Sequence, residues 1–187
     1  MIRFLATIIG ILTAAALLQV FQATTPGYAQ LTGPILTSGA QKDTVSSQTF
    51  SVRIDKAVQA KTLVLKRFSR TIERQTQGTW LVVSAELWAF QETMPLAGAS
   101  IRGASGRLYV QTHRADAAPQ LLSLKKVQPG LPTTGILVFE LPEEEATDMT
   151  LILSKQASPR LEDEVHVHLD RGMIESRDKV EPGNGGI

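Results

Sequence analysis

The sequence predicts an all-β sandwich that follows one apolar N-terminal helix, and three observations support that fold class. Many short segments rich in β-branched and aromatic residues follow one another along the chain. Glycine and proline separate many of these segments, with the spacing that is typical of β-sandwiches. Beyond the leader, no segment carries a sustained helical stripe.

The first element is the uncharged apolar run at residues 4–21, which Arg3 precedes. Because basic residues that flank a membrane segment favour its cytoplasmic side, we expect the N-terminus in the cytoplasm and the chain after the run outside. The length of this run is near the minimum for a membrane-spanning helix and greater than is usual for the apolar core of a signal peptide. Gly27 and Ala29 are small residues suited to a signal peptidase, which would leave Gln30 as the new N-terminus. The prediction is a single-pass protein of the cytoplasmic membrane with its domain outside; a secreted or periplasmic form, cleaved at Ala29, stays open.

Composition indicates a folded and electrically neutral exported part. The chain is 43% hydrophobic and 20% charged, and Arg3 is its only charged residue before Lys42. The remaining basic and acidic residues are equal in number, so we predict no nucleic-acid partner, since phosphate binding needs clustered positive charge. The chain has no cysteine, which excludes disulfides, thiolate metal sites, cysteine nucleophiles and thioether lipid anchors.

Four regions are predicted from these patterns. Residues 1–22 are a signal anchor or signal peptide, and the Thr, Gly, Ser and Gln-rich residues 23–47 are a flexible tether. Residues 48–170 form the sandwich. Residues 171–187 are polar, end in glycines and are predicted to be a disordered tail.

The strands of the sandwich begin with an alternating segment at residues 49–55, in which Phe50, Val52 and Ile54 should point into the core. A second strand is expected within residues 57–66, followed by a polar surface crossing. The segment at 79–90 is apolar on both faces, as in a central strand. Trp80, Trp88 and Phe90 share one of its faces, which we expect the second sheet to cover. Further short strands are predicted at residues 99–102, 107–112, 121–124, 134–141, 149–154 and 164–169. One helical turn is expected at residues 142–146, where proline and three acids suit a helix start.

Four landmarks occur in order: GTWLVV at residues 78–83, GRLY at 106–109, PG at 129–130 and GILVFELP at 135–142. With these landmarks the chain resembles a bacterial exported immunoglobulin-like family of unknown function, often labelled telomeric-repeat-binding-factor-like. The resemblance spans about residues 48–170. It implies an immunoglobulin-like β-sandwich in an extracytoplasmic compartment and no catalytic residue.

The strongest candidate for chemistry is the H-x-H pair in VHVHLD, which places His166, His168 and Asp170 on one face of a strand. Two imidazoles about 7 Å apart could bind Cu²⁺ or Zn²⁺, with Asp170 or Asp163 as a third ligand. A solvated polar strand face explains the same pattern. His113 is distant in the sequence and could join this metal site only if the fold brings it close to the H-x-H pair.

Catalytic motifs are not found in the sequence. There is no G-x-S-x-G elbow, and no histidine lies beside a recognisable nucleophile motif. The three consecutive glutamates at residues 143–145 suit a helix start better than a glycosidase pair, which needs two acids across a cleft. We predict a protein that is not an enzyme and needs no cofactor.

Charge is distributed unevenly along the neutral domain. Residues 53–74 hold seven basic and two acidic residues, whereas residues 140–148 hold five acids and no base. The basic strip could contact anionic lipid headgroups or the acidic segment of another molecule, although such strips are usually solvated strand faces. The sequence therefore favours an extracytoplasmic interaction module that binds an envelope protein or a cell-wall partner, and a metal-binding protein using the H-x-H pair is the alternative.

Overall fold

A computed structural model of the chain describes residues 2–24, 32–67, 70–183 and 187, which fall into two compact units. The first unit ends at Gly33 and contains the helix α1, Ile2–Thr24. The second unit is Pro34–Ile187 and contains all of the described strands.

Helix α1 is long and apolar enough to cross a membrane, and a signal sequence would have the same properties. Its threonine hydroxyls bond back within the helix. Thr7 Oγ1 donates to the carbonyl of Arg3 at 2.9 Å, and Thr13 Oγ1 donates to that of Ile9 at 2.8 Å. Because these hydroxyls are satisfied by the helix itself, they add little cost to burial in lipid.

The second unit contains twelve described strands, more than the nine segments that the sequence predicts. In chain order they are β1 Ile35–Ala40, β2 Val45–Ser46, β3 Phe50–Arg67, β4 Arg70–Ala89, β5 Met94–Pro95, β6 Gly98–Arg102, β7 Leu108–Val110, β8 Lys126–Val127, β9 Thr133–Leu141, β10 Met149–Ser154, β11 Asp163–Leu169 and β12 Ile174–Val180.

Two large sheets form the sandwich. Sheet A has the order β1-β11-β10-β6-β7, and sheet B has the order β12-β3-β4-β9 with β2 added to β3. Strands β5 and β8 form a separate small ladder. The all-β sandwich behind one N-terminal helix is therefore confirmed.

The main core lies between the sheets, where every second residue of each long strand points inward. Phe50 and Val52 are fully buried there and Ile54 is 6% exposed, as the alternating pattern of their strand predicts. From sheet A, Leu151 and Val167 pack against the same cluster.

A second, smaller core covers the outer side of sheet B. Ala115, Ala118 and Leu121, from the connection after β7, pack on a cluster that contains Trp80 and Val138. The expectation that the second sheet covers the face of Trp80 is wrong, because that face points away from sheet A and the chain's own connection covers it.

Strands β1 and β2 lie inside the predicted tether, so the tether prediction is wrong for this part of residues 23–47. Strand β1 pairs in parallel with β11, from Ile35 opposite Asp163 to Ala40 opposite His168. Its residues, ILTSGA, give no alternating apolar signal, because the ladder to β11 and not a buried side-chain stripe holds this strand.

Strand β12 lies inside the predicted disordered tail, residues 171–187, and corrects that prediction as well. It pairs in parallel with β3, from Ile174 opposite Ala57 to Val180 opposite Leu63. Its middle residues are charged and exposed, as edge strands often are, and this composition resembles that of a tail.

The predicted surface crossing after residue 66 is instead part of a long hairpin. Strands β3 and β4 pair to Arg67 opposite Arg70, with one register shift near residue 55 and a larger one where Ala60 faces Trp80 but Thr62 faces Gln75. The polar residues beyond the second shift hide the strand pattern in the sequence.

The predicted helical turn is present as one short 3-10 helix, Glu143–Thr147, with Pro142 before it. The prediction at residues 121–124 is wrong in type, since Leu122–Leu124 forms a 3-10 turn and not a strand.

Candidate interaction surface

The outer face of sheet A is the side turned away from the core, and cross-strand register identifies its members. One row crosses the sheet through Ser38, His166, Ile152, Ser100 and Val110. The next row crosses through Ala40, His168, Thr150, Arg102 and Leu108.

Apolar side chains are exposed at both edges of this face. Leu36 on β1 is 59% exposed, and on β7 Leu108 and Val110 are 59% and 71% exposed. Leu108 and Val110 are neighbours on this face, and exposed aliphatic side chains that lie together are a feature of interaction sites, whereas single scattered ones are not.

A groove of about 400 Å³ runs along this face over β6, β7 and β10. Ile152 and Val110, in the row of His166, form the middle of the groove. Arg102, in the row of His168, lies toward one end of the groove, and Glu164 lies toward the opposite end. His113, which follows β7, also lines the groove. The groove thus has an apolar middle and opposite charges toward its two ends.

The two histidines of the predicted metal site lie on the outer face but have separate partners. His166 is 8% exposed, and its Nε2 lies 2.6 Å from Oε1 of Glu164. His168 is exposed, and its Nδ1 lies 3.7 Å from Oδ1 of Asp148. Each imidazole is therefore next to a carboxylate that the H-x-H pattern alone did not single out.

The predicted third ligands are engaged elsewhere. Asp170 Oδ1 accepts the N–H of Gly172 at 2.8 Å and begins a 3-10 turn. Asp163 Oδ2 accepts both the N–H and the hydroxyl of Thr49 at 2.7 Å, which ties β11 to the start of β3. Within the described ranges, no three His, Asp or Glu side chains are placed so that they could hold a metal ion.

The basic strip of residues 53–74 is largely matched by carboxylates in the fold. Arg53 pairs with Glu86 at 2.5 Å, and Lys61 pairs with Glu143 of the acidic segment. The two oppositely charged segments that could have met between molecules therefore meet within one molecule. Arg70 and Arg74 have no ion pair to any residue that the structure describes.

Trp80 is fixed from two sides and is not available for binding. Its indole Nε1 donates to the carbonyl of Arg74 at 2.9 Å, and the Arg114 guanidinium lies 5.2 Å from the ring centre. Trp88 is half-buried under Arg53, and Phe90 is 46% exposed. The predicted aromatic face is thus divided between a closed core and a partly open end.

No protein-family model matches the sequence, and no curated protein matches it significantly. Among solved structures, the yjhA protein from Bacillus subtilis is 16% identical with a TM-score of 0.54, covering 70% of this chain and 99% of its own. An uncharacterised β-sandwich protein from Clostridium difficile is 12% identical, with a TM-score of 0.45 and coverage of 77% of this chain and 99% of its own. A conserved hypothetical protein from Bacillus anthracis is 15% identical, with a TM-score of 0.48 and coverage of 65% of this chain and 94% of its own.

At these identities the likeness concerns the fold alone. The chain is a β-sandwich protein with one apolar N-terminal helix. Its structural neighbours are uncharacterised proteins from bacteria, and none of their names states an activity.

Proposed function

We propose that this protein is a non-enzymatic interaction module that α1 directs to the outer side of the cytoplasmic membrane. The observation that carries the proposal is the outer face of sheet A, with its groove and the exposed apolar side chains at its edges. We propose further that the chain is a divergent member of the exported immunoglobulin-like family that its four landmarks resemble.

The groove suits a segment of a protein partner. Leu108 and Val110 together present the most exposed aliphatic surface of sheet A, and burying it would favour association by roughly 25 cal/mol per Å² of apolar area. Arg102 and Glu164 can pair with opposite charges of a bound segment and set its direction. The partner is therefore an envelope protein that presents an extended apolar segment with charges at its ends.

The experiment is cross-linking in living cells of the tagged full-length protein, followed by capture and mass spectrometry. A partner that is recovered with the wild type and lost with Val110→Asp supports the proposal, because a carboxylate in the middle of the groove would lose its water on binding. Ser176→Asp, on an exposed position of β12, is the matched control and should leave capture unchanged. Recovery of the same partner with Val110→Asp would exclude this face.

Localisation is tested on the same full-length chain. Alkaline phosphatase fused after residue 187 should be active. A green fluorescent protein fused at the same position should not fluoresce, because it does not fold when it is exported unfolded by the general export route. The reverse result would contradict export of the domain. Peptides that begin at Gln30 would show cleavage, whereas peptides from residues 4–21 in the captured protein would show an uncleaved anchor.

The alternative function is metal binding through His166 and His168. Its support is that two imidazoles lie on one sheet face, each beside a carboxylate. A metal ion bound there would raise the melting temperature, as any ligand of the folded state does. A rise with Cu²⁺ or Zn²⁺ that is lost in His166→Ala with His168→Ala would favour the alternative, and equal melting temperatures with and without metal would exclude it.

A further inference from the structure

Strand β1 is an open edge of sheet A. It is the last strand in the order of that sheet, and among the strands that the structure describes it pairs only with β11. Its six residues, ILTSGA, carry no charge. Leu36, Ser38 and Ala40 are exposed. Such an edge is a template for another strand.

Hydrogen bonding along β1 leaves a defined set of backbone groups on the open side. The N–H of Ile35 donates to the carbonyl of Glu162 at 2.8 Å, and residues of a parallel strand alternate between bonding to the neighbour and pointing away. Leu36 and Ser38 therefore point their N–H and C=O groups away from β11. Among the described residues, no other backbone hydrogen bond reaches them, whereas the carbonyl of Ala40 accepts the N–H of Asp43 at 3.1 Å.

The other sheet edges are protected in the described part of the chain. Strand β7 has only three residues, and β12 carries charges along its length. Strand β9 is bridged by flanking segments, since the N–H of Thr112 donates to the carbonyl of Val138 and the N–H of Ile136 donates to the carbonyl of Gln120. Among these edges, β1 alone is long, uncharged and unbridged. Its unpaired backbone N–H and C=O groups are therefore the most available for pairing with another strand.

The free groups of β1 match a second copy of themselves. In an antiparallel pair centred on Thr37, Leu36 of each copy lies opposite Ser38 of the other, and the four free N–H and four free C=O groups all fall in hydrogen-bonded positions. Thr37 then lies opposite Thr37 in a non-hydrogen-bonded position, and threonine pairs across strands are favourable. The occupied carbonyl of Ala40 is not used in this register.

We propose that two copies of this protein pair along β1 in this register and join their five-stranded sheets A into one ten-stranded sheet. The two-fold axis stands perpendicular to the sheet at Thr37, so both outer faces lie on the same side of the joined sheet. The pairing is independent of the partner that the groove binds.

Disulfide cross-linking tests the register, because the chain contains no cysteine of its own. Thr37→Cys is introduced into the full-length protein, and membranes from expressing cells are oxidised with copper phenanthroline. The two Cα atoms would be about 4.5 Å apart, which a disulfide can bridge. We expect a dimer that is cleaved by reductant.

Ser38→Cys is the matched control for register. Its Cα atoms would be roughly 8 Å apart in the proposed pair, beyond the reach of a disulfide. We expect several-fold less dimer than with Thr37→Cys, and little from Ser176→Cys on β12. The proposal is overturned if Thr37→Cys gives no dimer, if all three variants give equal dimer, or if Thr37→Cys links only to a different protein.

A second measurement does not depend on the cysteine variants folding. Native mass spectrometry of the detergent-solubilised full-length protein should show a dimer for the wild type. Ser38→Pro removes an outward N–H without removing a bond to β11, so it should show a monomer. A monomeric wild type, or a dimeric Ser38→Pro protein, would contradict the proposal.

Discussion

Glu145 shows how a single residue can carry a structural role that its sequence context hides. The residue is 5% exposed, and its carboxylate accepts the N–H of Ser105 at 3.0 Å and the Ser105 hydroxyl at 2.5 Å. Gly103 permits this approach, since a Cβ there would lie 2.4 Å from Glu145 Oε2. The bonds from Ser105 lower the pKa of Glu145 below its usual value of 4.5, more than burial raises it.

The lowered pKa of Glu145 predicts a pH-dependent stability. The contribution of this carboxylate is present above its unfolded pKa, near 4.5, and is lost as the pH falls through the lower folded pKa. Glu145→Gln should therefore lower the melting temperature at pH 7, and the difference from wild type should shrink on acidification below about pH 4.5. Thermal unfolding followed by circular dichroism measures both. Glu144→Gln, on the exposed neighbour, should change little, and a difference that is constant with pH would contradict this role.

The two tryptophans of β4 should differ in their contribution to stability. Trp80 is fully buried and Trp88 is half-buried. We expect Trp80→Ala to lower the free energy of unfolding by about 3–5 kcal/mol, since a large cavity is left behind. Trp88→Ala should cost clearly less, because that side chain keeps contact with water when folded. Urea unfolding measures both values, and equal losses would show that the small core over sheet B is not closed.

At the residue scale, what was predictable depended on local pattern. Alternation places Phe50, Val52 and Ile54 in the core, and it places His166 and His168 on one face. It also places Glu164 on the face of His166, although the H-x-H pattern did not single that residue out. It could not find Asp148 as the partner of His168, because that partnership depends on the pairing of β10 with β11. It also gave no sign that Glu145, unlike its neighbours, is buried.

At the scale of elements, β12 carries the sharpest prediction. Val180 is 1% exposed and packs in the cluster that contains Leu63 and Trp80. Val180→Asp should strongly destabilise the domain, since it buries a charge without a partner. Ser176→Asp places the same group at an exposed position of the same strand and should be tolerated. Equal melting temperatures for the two variants would show that residues 174–180 behave as the tail that their composition suggests.

The elements predicted correctly are those with buried stripes, such as β9, β10 and β11. The missed ones are edge strands, β1 and β12, whose ladders involve one neighbour and whose side chains are short or charged. The long hairpin was missed for a related reason, because its outer part has few inward side chains. Backbone pairing across distant parts of the chain, and not side-chain burial, defines these elements.

At the scale of the whole molecule, the residues from Pro34 onward have a complete core of their own. We therefore expect a chain starting at Pro34 to fold without the helix and to unfold in one cooperative transition, as single domains of this size usually do. Calorimetry in which the measured enthalpy equals the van't Hoff enthalpy would confirm it. Two resolved transitions would show that sheets A and B are separately stable.

Each of the two large sheets has one edge strand that pairs in parallel with a segment distant in the sequence, since residue 35 pairs with residue 163 and residue 174 pairs with residue 57. Parallel pairing between distant segments gives high contact order and slow folding. A chain that emerges N-terminus first exposes β1 long before β11 is available, and it leaves one side of β3 uncovered until its final strand appears. Folding therefore finishes only after nearly the whole polypeptide is available, so β1 and one side of β3 stay without their parallel neighbours until the C-terminal part of the chain has been made.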